Sequence, residues 1–251
     1  MILAGGFGTR LSEETNLMPK PLVEVGGLPI IWHVMKLYSS YGYNDFIVCG
    51  GYKVEELKRY FCDYFLLNSD IEVDLSNGEI RYISKPQIDW RVKVVDTGIE
   101  TMTGGRLKRV IDLISKPTFL MTYGDGIADI NLNKLVTFHK QHGKKATITS
   151  VRPPGRFGVL TLDNDKVKTF EEKPHGKGGW INGGFFVLER SAVEFVSGDE
   201  TIWEQEPLTR LAQDNELMAF RHDGFWQPMD TLRDKNYLNK LWENGAPWKC
   251  W

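Results

Sequence analysis

Apolar positions in the first half of this chain switch between short continuous runs and a spacing of three and four. Ile2–Ala4 is a short apolar run ending in glycines, as at the end of a strand; the start of that strand is expected to precede Met1. From Pro29 to Gly42 the spacing predicts a helix, with Pro29 in its first turn, Ile31, Val34, Met35 and Tyr38 on one face, and Gly42 ending it. Phe46–Cys49 reads as a buried strand. Val54, Leu57, Phe61, Tyr64 and Phe65 then line one helical face, and Leu107, Val110, Ile111 and Ile114 another. Phe119–Thr122 is a strand running into Tyr123-Gly124-Asp125-Gly126. Leu132, Leu135 and His139 mark a helix ending near Gly143, and Ala146–Val151 is the next strand. Such β-α-β alternation predicts an α/β fold: a mixed, mostly parallel, Rossmann-like sheet with helices on both faces.

Antiparallel additions interrupt this rhythm. The 71–84 segment reads as a hairpin turning at Asn77-Gly78. Residues 158–173 read as a second hairpin turning at Asp163-Asn164-Asp165. The tail from Thr201 is helical around a strand-like Leu217–Phe220. No linker, internal repeat or low-complexity segment divides the chain. One domain over 1–251 is expected, with a hairpin region at about 151–190 and a helical part at about 201–251.

Composition narrows the function classes. The chain has 251 residues, 41% hydrophobic and 25% charged, which is globular rather than disordered. The net charge of -2 supplies no global positive field for nucleic acid or a membrane surface, so any anion site must be local. Cys49, Cys62 and Cys250 form no CxxC pair and are odd in number, as expected in a reducing compartment without a disulfide framework. No apolar run reaches the ~18 residues of a bilayer span, and Gly5, Gly6 and Gly8 interrupt any signal-peptide core.

Three clusters carry candidate chemistry. The first is Leu3-Ala4-Gly5-Gly6-Phe7-Gly8-Thr9-Arg10-Leu11, followed by Pro19-Lys20-Pro21. Glycine amides without Cβ atoms can crowd a phosphate, and Arg10 and Lys20 add charge. It is neither a Walker A loop, for no Gly-Lys-Ser/Thr follows, nor a dinucleotide fingerprint, since Leu11 stands where the third glycine belongs. A plain glycine turn with a surface arginine is the alternative. The second is Asp125 after a strand and Asp230 before a helix. Carboxylates suit hard Mg²⁺, yet Asp125 also suits a turn between glycines, and Asp230 a helix N-cap, with Thr231-Leu232-Arg233-Asp234 resembling a capping box. Asp129 reads as a helix-start residue. The third is Glu171-Glu172-Lys173-Pro174, either a binding group or a solvated charge run. Beside these, Thr103-Gly104-Gly105-Arg106 opens a helix whose N-terminus and arginine could attract an anion, or is an ordinary loop. None of the five histidines makes a metal-spaced pair; His139 and His142 suit the helix dipole. Of eight tryptophans, four follow Gly224 and read as packing for a terminal helix or an interface.

The runs GGFGTRL and PKPLVEVGGLPI resemble the signature of the sugar-nucleotide pyrophosphorylases, the sugar-1-phosphate nucleotidylyltransferases. The resemblance continues through YGDGIAD, FGVLTLDNDKVKTFEEKP, INGGFFVLE and FWQPMDTLRDK, so it spans essentially the whole chain. DTGIETMTGGRLKR, PPGRFG, TIWEQEPL and GFWQPMDT look most like the branch that uses CTP and glucose-1-phosphate; UTP or dTTP, or a non-catalytic sensor of sugar nucleotides, are the alternatives. The resemblance implies that Leu3, Ala4, Gly5, Gly6, Phe7, Gly8, Thr9, Arg10, Lys20, Thr101, Arg106 and Gly124 bind the nucleotide. It implies that Gly158, Glu172, Lys173, Asn182 and Gly183 hold the sugar phosphate, with Gly184 in the same pocket-lining block. Asp125 and Asp230 would hold Mg²⁺, and Arg10, Lys20, Asp125 and Lys173 would be catalytic. It further implies a cytoplasmic homo-oligomer, a hexamer, that feeds CDP-linked deoxyhexoses to surface polysaccharide such as the O-antigen of lipopolysaccharide.

Overall fold

Side chains of successive strand residues point to opposite faces, and here both sets are apolar. In the computed structural model, which describes residues 1–153, 159–163, 166–171 and 179–251, this pattern produces a sheet with a core on each side. Its strands are β1 (Ile2–Ala4), β2 (Asp45–Gly50), β3 (Arg91–Asp96), β4 (Thr118–Tyr123), β5 (Ala146–Val151), β6 (Ile181–Glu189) and β7 (Leu217–His222). They lie in the order β7-β5-β6-β4-β1-β2-β3. β6 is antiparallel to both neighbours, and the other pairings are parallel. The mixed, mostly parallel α/β fold expected from the sequence is the fold observed.

Leu3, Cys49, Met121, Phe186 and Leu188 face one core. There they meet Leu107 and Val110 of α3 (Thr103–Val110) and Leu208 and Leu211 of α5 (Glu206–Gln213). Ile2, Ala4, Val48, Phe185 and Val187 face the other core. It holds α1 (Ile30–Ser40), Leu57 of α2 (Val54–Cys62), and Leu132 and Leu135 of α4 (Leu132–His142). A third cluster joins Leu11, Val25 and Ile30 to Met229, Leu238 and Trp248, which docks α6 (Leu232–Glu243) against the segment after β1. Trp248 stacks on Trp242 and Phe225, so this part of the tryptophan-rich tail is packing.

Several elements differ from expectation. The helix expected through Phe65 stops at Cys62 and restarts as a short Tyr64–Leu67 turn, which leaves Phe65 exposed. Ile111 lies in a 3₁₀ turn after α3, not in the helix. Asp129 does not start α4: the Asn131 side chain accepts from the Lys134 amide at 2.9 Å, while Asp129 pairs with His222 at 3.0 Å. His139 and His142 both meet the Thr147 hydroxyl, at 2.8 and 2.7 Å, and desolvation, His139 and Lys144 hold His142 below the ordinary histidine pKa.

The 71–84 hairpin forms, with Ile71–Asp74 paired to Glu79–Tyr82, and the strands of the second hairpin pair, Val159–Asp163 with Lys166–Glu171, while its Asn164-Asp165 turn lies outside the described residues. In the tail, the strand-like Leu217–Phe220 lies within β7, which joins the main sheet beside β5 as a strand, and a further strand that was not expected, Trp226–Pro228, pairs with Gly126–Ala128. No helix among the described residues is long and apolar enough to cross a membrane.

Candidate active site

After β1 the chain continues to β2 and β3 on one side of it, then crosses to β4 on the other. Such a reversal opens a crevice at the carboxyl ends of the strands. Here a cleft of about 560 Å³ occupies it. The residues from Leu3 to Arg10 line it, with Lys20, Thr101, Arg106, Gly124, Asp125, Asn182 and Asp230. The cleft thus unites every nucleotide-site residue named from the sequence with both aspartates. Gly183 lines a smaller adjoining pocket with Asn182, Trp226 and Asp125. Gly158, Glu172 and Lys173 lie outside the described residues.

The glycine loop is shaped from beneath. Gly8 adopts φ 64°, the left-handed region that favours glycine. The Gly5 carbonyl accepts from the Tyr52 amide at 3.2 Å and from Arg106 Nη2 at 3.1 Å, and a Cβ on Gly5 would overlap the Arg106 guanidinium. The amides of Gly6, Phe7 and Gly8 have no acceptor among the described residues. Consecutive free amides beside a cleft can cradle an anion.

Arg106 differs in its surroundings from the sequence reading. It is buried, and its Nη1 donates to Gly50 O, Thr97 Oγ1 and Gly98 O at 2.7–2.8 Å, while Nη2 also donates to Ile99 O at 3.3 Å. It ties the glycine loop to the ends of β2 and β3. The start of α3 is likewise occupied: the amides of Gly104 and Gly105 donate to Thr201 O, and that of Met102 to Asp199 O. These carbonyls satisfy the amides that an anion would otherwise use.

At the other end of the cleft, Lys20 Nζ lies 2.6 Å from Asp125 Oδ2 and 2.8 Å from Asp230 Oδ1, and Arg10 Nη1 lies 3.2 Å from Asp230 Oδ2. Burial works against the Lys20 charge, but attraction and hydrogen bonds from both aspartates outweigh it and raise its pKa. Asp125 reaches the cleft from the loop after β4, and its own carbonyl accepts from Met229 N at 2.9 Å, which pins the segment carrying Asp230 beside it. The two readings of Asp230 separate here. The N-cap of α6 is Thr231, in a reciprocal capping box with Asp234, so Asp230 is not the cap and its carboxylate turns to Lys20 and Arg10. Two hard oxygen donors converging on one positive charge fit a divalent cation such as Mg²⁺.

On the β6 side, the pairing with β5 shifts between Ile148 and Ser150, at Gly183 and Gly184, and Gly184 takes φ 80°. A bulge of this kind re-aims side chains next to a site. Asn182 lines the cleft, and Trp226 Nε1 donates to Gly183 O at 2.7 Å. The sequence reading missed Tyr123, which lines the cleft, and Glu204, which accepts a hydrogen bond from its hydroxyl. The available signals were the YGDG and TIWEQEPL blocks that contain them.

A family model for the nucleotidyl transferases matches residues 1–231. Glucose-1-phosphate cytidylyltransferase of Salmonella typhi is 56% identical, covering 100% of this chain and 98% of that protein. A probable glucose-1-phosphate cytidylyltransferase of Bacillus subtilis is 45% identical over 100% of this chain and 99% of that protein. Among solved structures, HddC from Yersinia pseudotuberculosis superposes with a TM-score of 0.70 at 22% identity, over 96% of this chain and 97% of that one, a likeness of fold. The matched span begins with the glycine loop and extends past Asp230, so it contains the whole cleft, and the chain belongs to the nucleotidyl transferase family.

Proposed function

We propose that the protein transfers a cytidylyl group from CTP to glucose-1-phosphate, giving CDP-glucose and pyrophosphate. The observation that carries this is the 56% identity, over the full chain, to a protein of that name. The convergence of Lys20, Asp125, Asp230 and Arg10 in one cleft supports it. A non-bridging oxygen of the sugar phosphate attacks the α-phosphorus of CTP. The bond from that phosphorus to the bridging oxygen breaks, and pyrophosphate leaves. The nucleophile is already an anion, so no general base is required. The task is to align and neutralise two polyanions.

In this reading the free amides of Gly6, Phe7 and Gly8 receive the triphosphate. Arg10 faces the leaving pyrophosphate, and its exposed position at the loop suits a late, charge-following contact. Lys20 meets the α-phosphate, and Lys173 meets the sugar phosphate, with Glu172 and Gly158 beside the hexose. Asp125 and Asp230 would hold Mg²⁺, which when bound supplies Lewis-acid neutralisation of phosphate charge. The reading extends to a cytoplasmic homo-oligomer, a hexamer, supplying CDP-linked deoxyhexoses. Apolar side chains exposed on the 71–82 hairpin, among them Val73, Leu75 and Ile80, support self-association; light scattering reads the state directly.

The decisive experiment is pyrophosphate release with Mg²⁺, glucose-1-phosphate and each of CTP, UTP, dTTP and GTP. CTP is expected to lead by at least about tenfold in kcat/KM, well within what a polar base edge can discriminate. Equal rates with UTP, or faster rates with dTTP, overturn the cytidylyl assignment. No release with any triphosphate overturns catalysis and leaves a sensor.

A further inference from the structure

Glu204, in the segment before α5, hydrogen-bonds two residues that line the cleft, Tyr123 and Thr103. One carboxylate oxygen accepts from the Tyr123 hydroxyl, and the other accepts from Thr103 Oγ1 at 2.6 Å. Each donor continues a chain. The Tyr123 oxygen accepts from Asn182 Nδ2 at 3.1 Å, and Asn182 Oδ1 accepts from the Gly184 amide at 2.8 Å. Thr103 Oγ1 accepts from the Trp203 amide at 2.9 Å. Asn182, Tyr123 and Thr103 all line the cleft.

An ionised carboxylate only accepts hydrogen bonds, so two chains that end on it have a set direction. Tyr123 must donate to Glu204, which leaves its lone pair for Asn182. Asn182 then gives one N–H to Tyr123, and its carbonyl is held by Gly184. The second N–H of the amide group remains as a donor at the cleft. A Gln at 204 could accept from one side only and would present a donor to the other. Burial, and then the adjacent Glu204 charge, raise the pKa of Tyr123, so the phenol keeps the proton this arrangement needs. No lysine or arginine among the described residues pairs with Glu204. A partly buried carboxylate that serves neutral donors alone is a poor choice for stability and a good one for orientation.

We propose that Glu204 is a positioning residue that acts through Tyr123 to fix Asn182 as a hydrogen-bond donor to the hexose. This rests on the glucose-1-phosphate reading above. The test varies both substrates in the pyrophosphate assay for Glu204→Gln, Tyr123→Phe and the double variant, with a thermal melt of each. Glu204→Gln is expected to raise KM for glucose-1-phosphate about tenfold, as for a lost hydrogen bond to a charged group, and KM for CTP less than about threefold. Tyr123→Phe breaks the same chain, so the double variant is expected to be no worse than the poorer single, the non-additivity of coupled neighbours. If Glu204→Gln fails to fold, Tyr123→Phe alone decides by its sugar KM. An unchanged sugar KM, an equal rise for both substrates, or single effects that multiply would overturn the proposal. Wild type that releases no pyrophosphate from CTP and glucose-1-phosphate would overturn both readings, and that failure is told apart because it precedes any variant.

Discussion

Asp230 and Thr231 are adjacent, but the structure gives them separate work, and two substitutions should pull activity and stability apart. In Asp230→Asn, Lys20 keeps Asp125 at 2.6 Å, so no buried charge loses its last partner. The Arg10 contact contributes little, because the Arg10 side chain is 72% exposed and water screens it. The stability loss should be about 1 kcal/mol or less, which for a chain of this size is about 2–4 °C in Tm. Turnover should fall at least about a hundredfold, or about 2.7 kcal/mol, because one of two carboxylates at the cation position is gone. Thr231→Ala should do the opposite. It removes the hydroxyl that accepts from Asp234 N at 3.2 Å, and losing such a cap costs about 1 kcal/mol. Its Tm should drop by about 2–4 °C while kcat at 25 °C stays within about threefold of wild type. The assays are pyrophosphate release at saturating substrates and a thermal melt of the same preparations. An Asp230→Asn enzyme within about threefold of wild type, or a Thr231→Ala enzyme that loses turnover well below its Tm, would refute the separation.

Arg106→Ala should lower Tm by at least about 5 °C, since it strips a buried guanidinium from five acceptors and orphaned buried polar groups cost about 1–3 kcal/mol each. An unchanged Tm with triphosphate binding alone impaired would restore Arg106 as a direct ligand. Lys173→Ala should raise KM for glucose-1-phosphate about 10- to 150-fold with little effect on CTP. Arg10→Ala should instead lower kcat, because the charge it faces grows in the transition state; the reverse pattern in steady-state kinetics would exchange the two assignments. His33 is fully buried, its Nε2 2.8 Å from Val25 O, and desolvation lowers its pKa to about 4. The unfolded chain therefore binds this proton first. The His33 contribution is intact above pH 6.5 and is lost as pH falls toward 4, by about 3 kcal/mol in all. Denaturant melts of wild type and His33→Gln between pH 7 and 4 should show a shallower decline in the variant, and parallel declines would contradict this.

Much of the fold was legible because a sheet buried on both faces imposes its period on every strand and covering helix. Val48 and Cys49 point to different cores, so the continuous apolar run Phe46–Cys49 marked a strand before any partner was known. Asn77-Gly78 marked a hairpin, and the glycines after β1 a phosphate-sized gap, since both depend on local backbone freedom. The sequence did not reveal that β6 runs antiparallel between two parallel neighbours, because partner and direction come from hydrogen bonds between distant segments. It gave no sign of β3, a half-exposed edge strand whose Arg91-Val92-Lys93-Val94 pattern is as compatible with a loop. Spacing left Asp230 as cap or ligand. Only the approach of its carboxylate to Lys20, 210 positions away, with Thr231 capping the start of α6, chose between them. Arg106 reads as a charge for the nucleotide, but the buried carbonyls of Gly50 and Gly98 surround it, and carbonyls are present at every position of any sequence. Glu204 was silent for the same reason. Its role lies in what it accepts from Tyr123 and Thr103, and those distances exist only once the segment before α5 has docked against the start of α3 and the end of β4.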